Sequence, residues 1–261
     1  MKLVIGGDFD NTIAGDADLM YALAFERGLI GAGFARNKKL IRDAVRALPD
    51  GETHWRGLQV TAYGPRMHEA RLIDGVREFF LECRRRGIPV YIVSHKTEYA
   101  NFGDANVNLR DAAAAWLEQQ GFFEQAGIGL SRERVFFEST RAEKIERVKA
   151  LGATHFIDDL EETFGEGSFP ARVEKILFAA HGQPTRLSDA VSFPTWREIH
   201  DRLLGALDLK VLAGLAGSPV RAVTRIGRGG NSKVYRVDCA NGRSYAAKLY
   251  FQRTMDGLDR L

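Results

Sequence analysis

The sequence predicts an α/β fold built on a parallel sheet, and three observations carry that prediction. Short β-rich apolar runs alternate with segments of helical periodicity, the pattern of strand–crossover–strand units. Carboxylates or a hydroxyl stand at the ends of several of these runs, the edge where open parallel sheets bind ligands. Composition then changes after Leu207, which sets a short tail apart from the main domain.

The expected strands are Lys2–Gly6, Pro89–Val93, Arg134–Phe137, Thr154–Ile157 and Lys175–Ala179. Between them, Leu72–Arg86 places Leu72, Val76, Phe79, Phe80 and Cys83 at helical spacing and stops at Gly87, a residue suited to a helix C-terminus. Ala105–Gln120 reads as a second helix and Ala142–Leu151 as a third, ending at Gly152. Trp196–Leu207 closes the domain with Trp196, Ile199, Leu203 and Leu207 on one face. An insertion at about residues 19–68 separates the first strand from the first crossover helix. Within it, a helix starting near Asn37 has an apolar side of Leu40, Ile41, Ala44, Val45 and Leu48 and a polar side of Lys38, Lys39, Arg42 and Arg46. That basic side reads as solvated; the alternative is that this small helical cap closes over an anionic substrate. Residues 208–219, rich in small side chains, read as a linker. Val220–Ile226, Lys233–Asp238 and Ser244–Tyr250 follow as three short antiparallel strands.

Bulk properties exclude several classes. The chain has 261 residues, 45% hydrophobic and 27% charged, which describes a globular protein. A net charge of +3 favours neither nucleic acid nor any other partner by field alone. No apolar run approaches the ~20 residues of a membrane span, and the N-terminus lacks the pattern of a signal peptide. Cys83 and Cys239 lie far apart without metal-ligand spacing, so reduced thiols and a cytoplasmic setting are expected.

Chemistry concentrates at four stations. Asp8-Phe9-Asp10-Asn11-Thr12 follows the apolar run Leu3-Val4-Ile5, Ser94 follows Val90–Val93, Lys144 lies near a helix start, and Asp158-Asp159 ends His155-Phe156-Ile157. Taken singly, each has a bland reading: a capped turn, a strand-end hydrogen bond, a solvated lysine (with Lys149 as its rival) and a helix cap. Together they form a phosphoryl-transfer set. Asp8 can attack phosphorus and Asp10 can exchange protons with the leaving oxygen and water. Mg²⁺ takes oxygen ligands, here Asp8, the Asp10 carbonyl and above all Asp158, with Asp159 either a further ligand or the residue that orients one. Ser94 and Lys144 would stabilise the equatorial phosphoryl oxygens.

These motifs, in this order over residues 1–207, resemble the haloacid dehalogenase-like (HAD) hydrolase superfamily. The resemblance implies a HAD-like Rossmannoid sheet flanked by helices and a Mg²⁺-dependent phosphatase in which Thr12 joins Ser94 and Lys144 at the substrate phosphate. The acid at Asp10 is what the family's dehalogenases generally lack. An insertion at this position implies a small phosphorylated metabolite as substrate. In the polar loop Asn101–Asn108, side chains could select it, though a plain surface loop is the simpler reading.

The tail carries a second resemblance. Ile226-Gly-Arg-Gly-Gly-Asn-Ser-Lys-Val-Tyr235 and Ala246-Ala-Lys248 resemble the glycine-rich loop and strand lysine of protein-kinase-like and aminoglycoside-phosphotransferase-like enzymes. Gly227, Gly229, Gly230 and Lys248 would then meet nucleotide phosphates. The rest of such a kinase does not follow, so residues 220–261 are expected to bind ATP only in a longer chain. In that case the chain is the front part of a phosphatase–kinase fusion in which the first domain has a regulatory or binding role.

Overall fold

The computed structural model describes residues 3–104, 106–180, 182, 184–205, 209–229 and 232–250. Lys2, Ala105, Leu207 and Gly230, on which parts of the sequence reading fall, lie outside them. The chain divides into two units, 1–200 and 201–261. The first contains, in order, β1 (Ile5–Gly7), β2 (Ala14–Gly15), α1 (Ala17–Glu26), α2 (Lys38–Arg46), α3 (Gly51–Tyr63), β3 (Arg71–Leu72), α4 (Val76–Arg85) and β4 (Val90–His95). It continues with α5 (Leu109–Gln119), β5 (Val135–Glu138), α6 (Arg141–Ala150), β6 (His155–Asp158), α7 (Glu161–Gly165), β7 (Glu174–Phe178), β8 (Ala190–Phe193) and α8 (Trp196–Leu203).

Six strands form one sheet in the order β5-β4-β1-β6-β7-β8, and all its ladders are parallel. The expected fold class is therefore the observed one. From the central β1 the chain builds one half of the sheet through β4 and β5, then returns to β1's other side with β6. The crevice at that reversal is where ligands of such sheets bind. β8 was absent from the sequence reading: its four residues lie between Asp189 and Pro194, too short for an alternation signal.

Local chemistry explains the helix ends. Asn37 caps α2 by accepting from the Leu40 amide, as expected for a helix starting near that residue. In α4, Val76, Phe79, Phe80 and Cys83 are buried, and Gly87 follows it at φ +64°. Leu72 belongs instead to β3, which pairs with β2. That two-stranded pair brackets an insertion of three helices, α1 to α3. The boundary between the two units falls inside α8, ahead of the expected domain end at 207, and α8 itself stops at Leu203.

In the second unit, β9 (Val220–Gly229), β10 (Ser232–Cys239) and β11 (Ser244–Tyr250) make the expected antiparallel sheet, in the order β11-β10-β9. The stretch read as a linker is corrected: Leu209–Ala216 is a helix, α9. Alanine and leucine are the strongest helix formers, and Leu212 and Ala216, one turn apart, pack with Val237 and Cys239.

Phe156 packs edge-on against Phe164, with Phe169 beside both. A Cβ on Gly6 would lie 2.6 Å from the Phe156 ring, which its neighbours hold in place. Gly6→Ala is therefore expected to cost about 1–3 kcal/mol of stability, read as a lowered midpoint in thermal or urea melts.

Candidate active site

The parallel register brings the predicted stations to one edge. Gly7 pairs with both Ile92 and Ile157, so Asp8, Ser94 and Asp158-Asp159 stand side by side where β1, β4 and β6 end. The Asp8 amide donates to the Ile157 carbonyl at 2.8 Å, which fixes the turn out of β1. Phe9 is fully buried edge-on against Trp116 and Phe137, so its neighbours Asp8 and Asp10 project from an anchored strand end.

Lys144 reaches this edge from α6. A capping box starts that helix: Thr140 Oγ1 accepts from the Glu143 amide while Glu143 accepts from the Thr140 amide. The next residue is Lys144, whose Nζ lies 2.6 Å from Asp8 Oδ1 and 2.7 Å from Asp158 Oδ2. All three side chains are buried. The rival Lys149 is exposed and pairs with Glu146.

Asp8, Asp158 and Asp159 each offer an oxygen within 4.8 Å of the others. Ionised oxygens at that spacing repel by roughly 3 kcal/mol per pair at an effective dielectric of 20. Burial raises the Asp8 carboxyl to about 6 against the pull of Lys144, with Asp158 and Asp10 adding to the rise. Burial, then Asp158 and Asp8, hold Asp159 well above the ordinary carboxylate range. Burial opposes the charge on Lys144, but Asp158 and Asp8 outweigh it and raise its affinity for the proton. With all three carboxyls ionised, the set and its one ammonium would carry two negative charges, so these oxygen donors fit a hard divalent cation. The Asp158 oxygens are engaged, one by Lys144 and the other by the Leu160 amide at 3.0 Å. Asp159 accepts one long bond, 3.5 Å, from Thr12 Oγ1.

Thr12 is fully buried, and its carbonyl accepts from Trp196 Nε1 at 2.6 Å. Asn11, between Asp10 and Thr12, adopts a left-handed backbone at φ +57°, a conformation asparagine tolerates. Ser94 is buried at the end of β4.

Two ammonium groups that the sequence reading left without a part in the chemical step, although Lys96 beside Ser94 could touch substrate, stand beside these residues. Lys96 contacts both oxygens of Asp10, at 3.1 and 3.0 Å. Lys38, at the start of α2, donates to Asp16 Oδ2 at 2.7 Å and to the Tyr63 hydroxyl at 2.6 Å. With the Asn11 amide oriented so that its nitrogen donates to Asp16, its oxygen accepts from Lys38 at 2.6 Å. Of the basic residues on α2, Lys38 thus turns inward, whereas Arg42 pairs with Asp43, Arg46 with Glu52, and Lys39 is exposed. Burial raises the Tyr63 hydroxyl, and Asp16 raises it further. The signal for Lys96 was its place two residues after Ser94; no spacing in the sequence joined Lys38 to Asp16 or Tyr63. Asn101 and Phe102 are held by α3, where Arg56 donates to the Asn101 carbonyl and covers the Phe102 ring.

No protein-family profile and no curated protein sequence matches the chain. Solved structures similar to it include a HAD family hydrolase from Deinococcus radiodurans R1 with bound phosphate and sodium. It is 18% identical, with 78% of this chain and 96% of that one covered at a TM-score of 0.47. A HAD hydrolase of family IA, variant 3, from Entamoeba histolytica is 16% identical over 76% of this chain and 95% of its own, at a TM-score of 0.47. A predicted phosphoglycolate phosphatase from Haemophilus somnus 129pt is 12% identical over 77% and 97%, at 0.43. Identities this low leave the chemistry to be argued from the side chains themselves.

Lys144→Met would leave Asp8 and Asp158 buried without their shared ammonium. Without added divalent cation, this variant is expected to lose about 3–5 kcal/mol, measured by denaturant unfolding. An unchanged midpoint would show that the contact contributes nothing.

Proposed function

We propose that this chain is a phosphomonoester hydrolase that uses Mg²⁺ and acts on a small phosphorylated metabolite. The observation that supports this reading most is the convergence of Asp8, Asp158 and Asp159 around Lys144 at the sheet's switch point. Asp8 attacks phosphorus through a carboxylate oxygen, the phosphorus–ester oxygen bond breaks, and Asp10 gives the leaving oxygen its proton. Water then attacks the phosphoaspartate, Asp10 takes the water's proton, and the bond from phosphorus to Asp8 breaks to release phosphate. Lys144, Ser94 and Thr12 hold phosphoryl oxygens whose charge grows in each transition state.

Asp8, Asp158, Asp159 and the Asp10 carbonyl would hold Mg²⁺, which supplies charge neutralisation at the phosphoryl group. The inward-facing Lys38 and Tyr63 make the insertion a wall of the cleft, in keeping with a small substrate. A cytosolic setting is part of this reading: Cys83 and Cys239 are buried free thiols. No helix among the described residues is long and apolar enough to cross a membrane.

One observation favours a second reading, in which this chain belongs to a phosphatase–kinase fusion and its first unit has a regulatory or binding role. Val234 pairs with Gly227 on one side and with Lys248 on the other, so the glycine-bearing strand and the lysine strand flank β10. Gly229 also lies on β9.

The test is a panel of phosphate esters assayed with Mg²⁺, with EDTA, and with Asp8→Asn. Hydrolysis is expected to fall by at least about 10³-fold in Asp8→Asn and to vanish in EDTA; activity that survives both would refute the mechanism. ATP binding with no ester hydrolysed would favour the second reading. Separately, Mg²⁺ at about 100 times its dissociation constant should raise stability by roughly 2.7 kcal/mol. Asp159→Asn should remove most of that gain in a thermal melt.

A further inference from the structure

We infer that Lys96 positions the carboxylate of Asp10, and that Tyr63, carried by the insertion, completes the clamp that holds Lys96 in place. The inference deepens the hydrolase reading and rests on it for the role of Asp10.

The contact is built from both ends. The Lys96 backbone is fixed because its amide donates to the Glu138 carbonyl at 2.8 Å and its own carbonyl accepts from Arg110 Nε at 3.0 Å. The side chain is only 4% exposed. Its ammonium meets both Asp10 oxygens, so the carboxylate is held against rotation as well as displacement. A buried ammonium costs several kcal/mol unless it is paired, which makes this orientation of Asp10 the favoured one. The Lys96 ammonium lies over two aromatic rings, with Nζ 5.5 Å from the Phe9 centroid and 4.7 Å from that of Tyr63.

Phe9 belongs to the sheet edge, whereas Tyr63 comes from the end of α3. Tyr63 is itself fixed by Lys38, whose three donors go to the Tyr63 hydroxyl, Asp16 and Asn11. An unbroken chain of contacts therefore runs from Asp16 through Lys38, Tyr63 and Lys96 to Asp10. Through these contacts the insertion bears on the aim of the Asp10 carboxylate. A direct role for Lys96 in gripping a substrate anion is the rival: it would require the ammonium to leave both Asp10 oxygens.

The experiment compares Lys96→Met, Lys96→Arg, Tyr63→Leu and Asp10→Asn on two probes, p-nitrophenyl phosphate and glycerol 3-phosphate. The first has a leaving group that needs little help from an acid; the second needs a well-aimed proton donor. Lys96→Met should lower kcat on glycerol 3-phosphate by about 10²-fold and much less on p-nitrophenyl phosphate, with KM little changed on either. Lys96→Arg should recover part of the loss, and Tyr63→Leu should show the same substrate pattern more weakly. In an Asp10→Asn background, Lys96→Met should cost almost nothing more. A raised KM with unchanged kcat, equal losses on both probes, or losses that multiply with Asp10→Asn would each overturn the proposal. Thermal melts of the two single variants and the double variant, without substrate, keep it separable from the hydrolase reading. If the wild-type protein hydrolyses no ester, that reading fails, while non-additive melting shifts would still support the clamp. Additive shifts would sink the clamp whatever the activity.

Discussion

A single buried ammonium organises the cleft. Lys144 lies between the ends of two adjacent strands, and its hydrogen bonds to Asp8 and Asp158 let like charges share a space that water barely enters. Without such a bridge, the parallel register that brings β1 and β6 together would also force their carboxylates into conflict. The register is fixed by backbone pairing and core packing, so the strands cannot shift to relieve it. The tension is therefore local, and it falls on the residues from which nucleophilic chemistry would draw. Burial first, and this conflict after it, raise the proton affinity of Asp8 and Asp159, and a divalent cation would relieve the conflict.

Much of this was legible in the chain. The strand cores were visible because buried parallel strands are continuous apolar runs: β4, β5, β6 and β7 lie within a residue or two of their expected positions, and β1 starts three residues later than expected. Three of the four stations could be seen because residues at strand ends are close in sequence to the strands that carry them, and Lys144 because it lies near the start of a helix. The geometry agrees with Lys144 over Lys149, and the box formed by Thr140 and Glu143 was there to be read as the reason. The insertion yielded less. Only α2 of its three helices had a sharply two-sided pattern; α1 is apolar on most sides, and α3 carries mixed polarity. The segment at 209–216 misled because glycine suggests a hinge, whereas its leucines and alanines favour a helix.

The polar network around Asp10 lay beyond reach for a different reason. Lys38, Tyr63 and Lys96 are distant in sequence, and each is an unremarkable residue for its local element. A basic residue on an amphipathic helix is normally solvated, and Lys39, Arg42 and Arg46 follow that rule. Lys38 differs because it occupies the first turn of α2, at the end facing the cleft. Long-range ion pairs of this kind depend on how elements dock, and periodicity along a single helix carries no record of docking.

The hydrogen bond from Trp196 to the carbonyl of Thr12 spans 184 residues of sequence. It ties the loop after Asp10 to the last helix the first unit begins, so that loop lacks one of its supports while the chain is still being made. During synthesis, the early carboxylates leave the ribosome long before their indole brace. A nascent or C-terminally clipped polypeptide lacking Trp196 would carry the acidic motif without this brace.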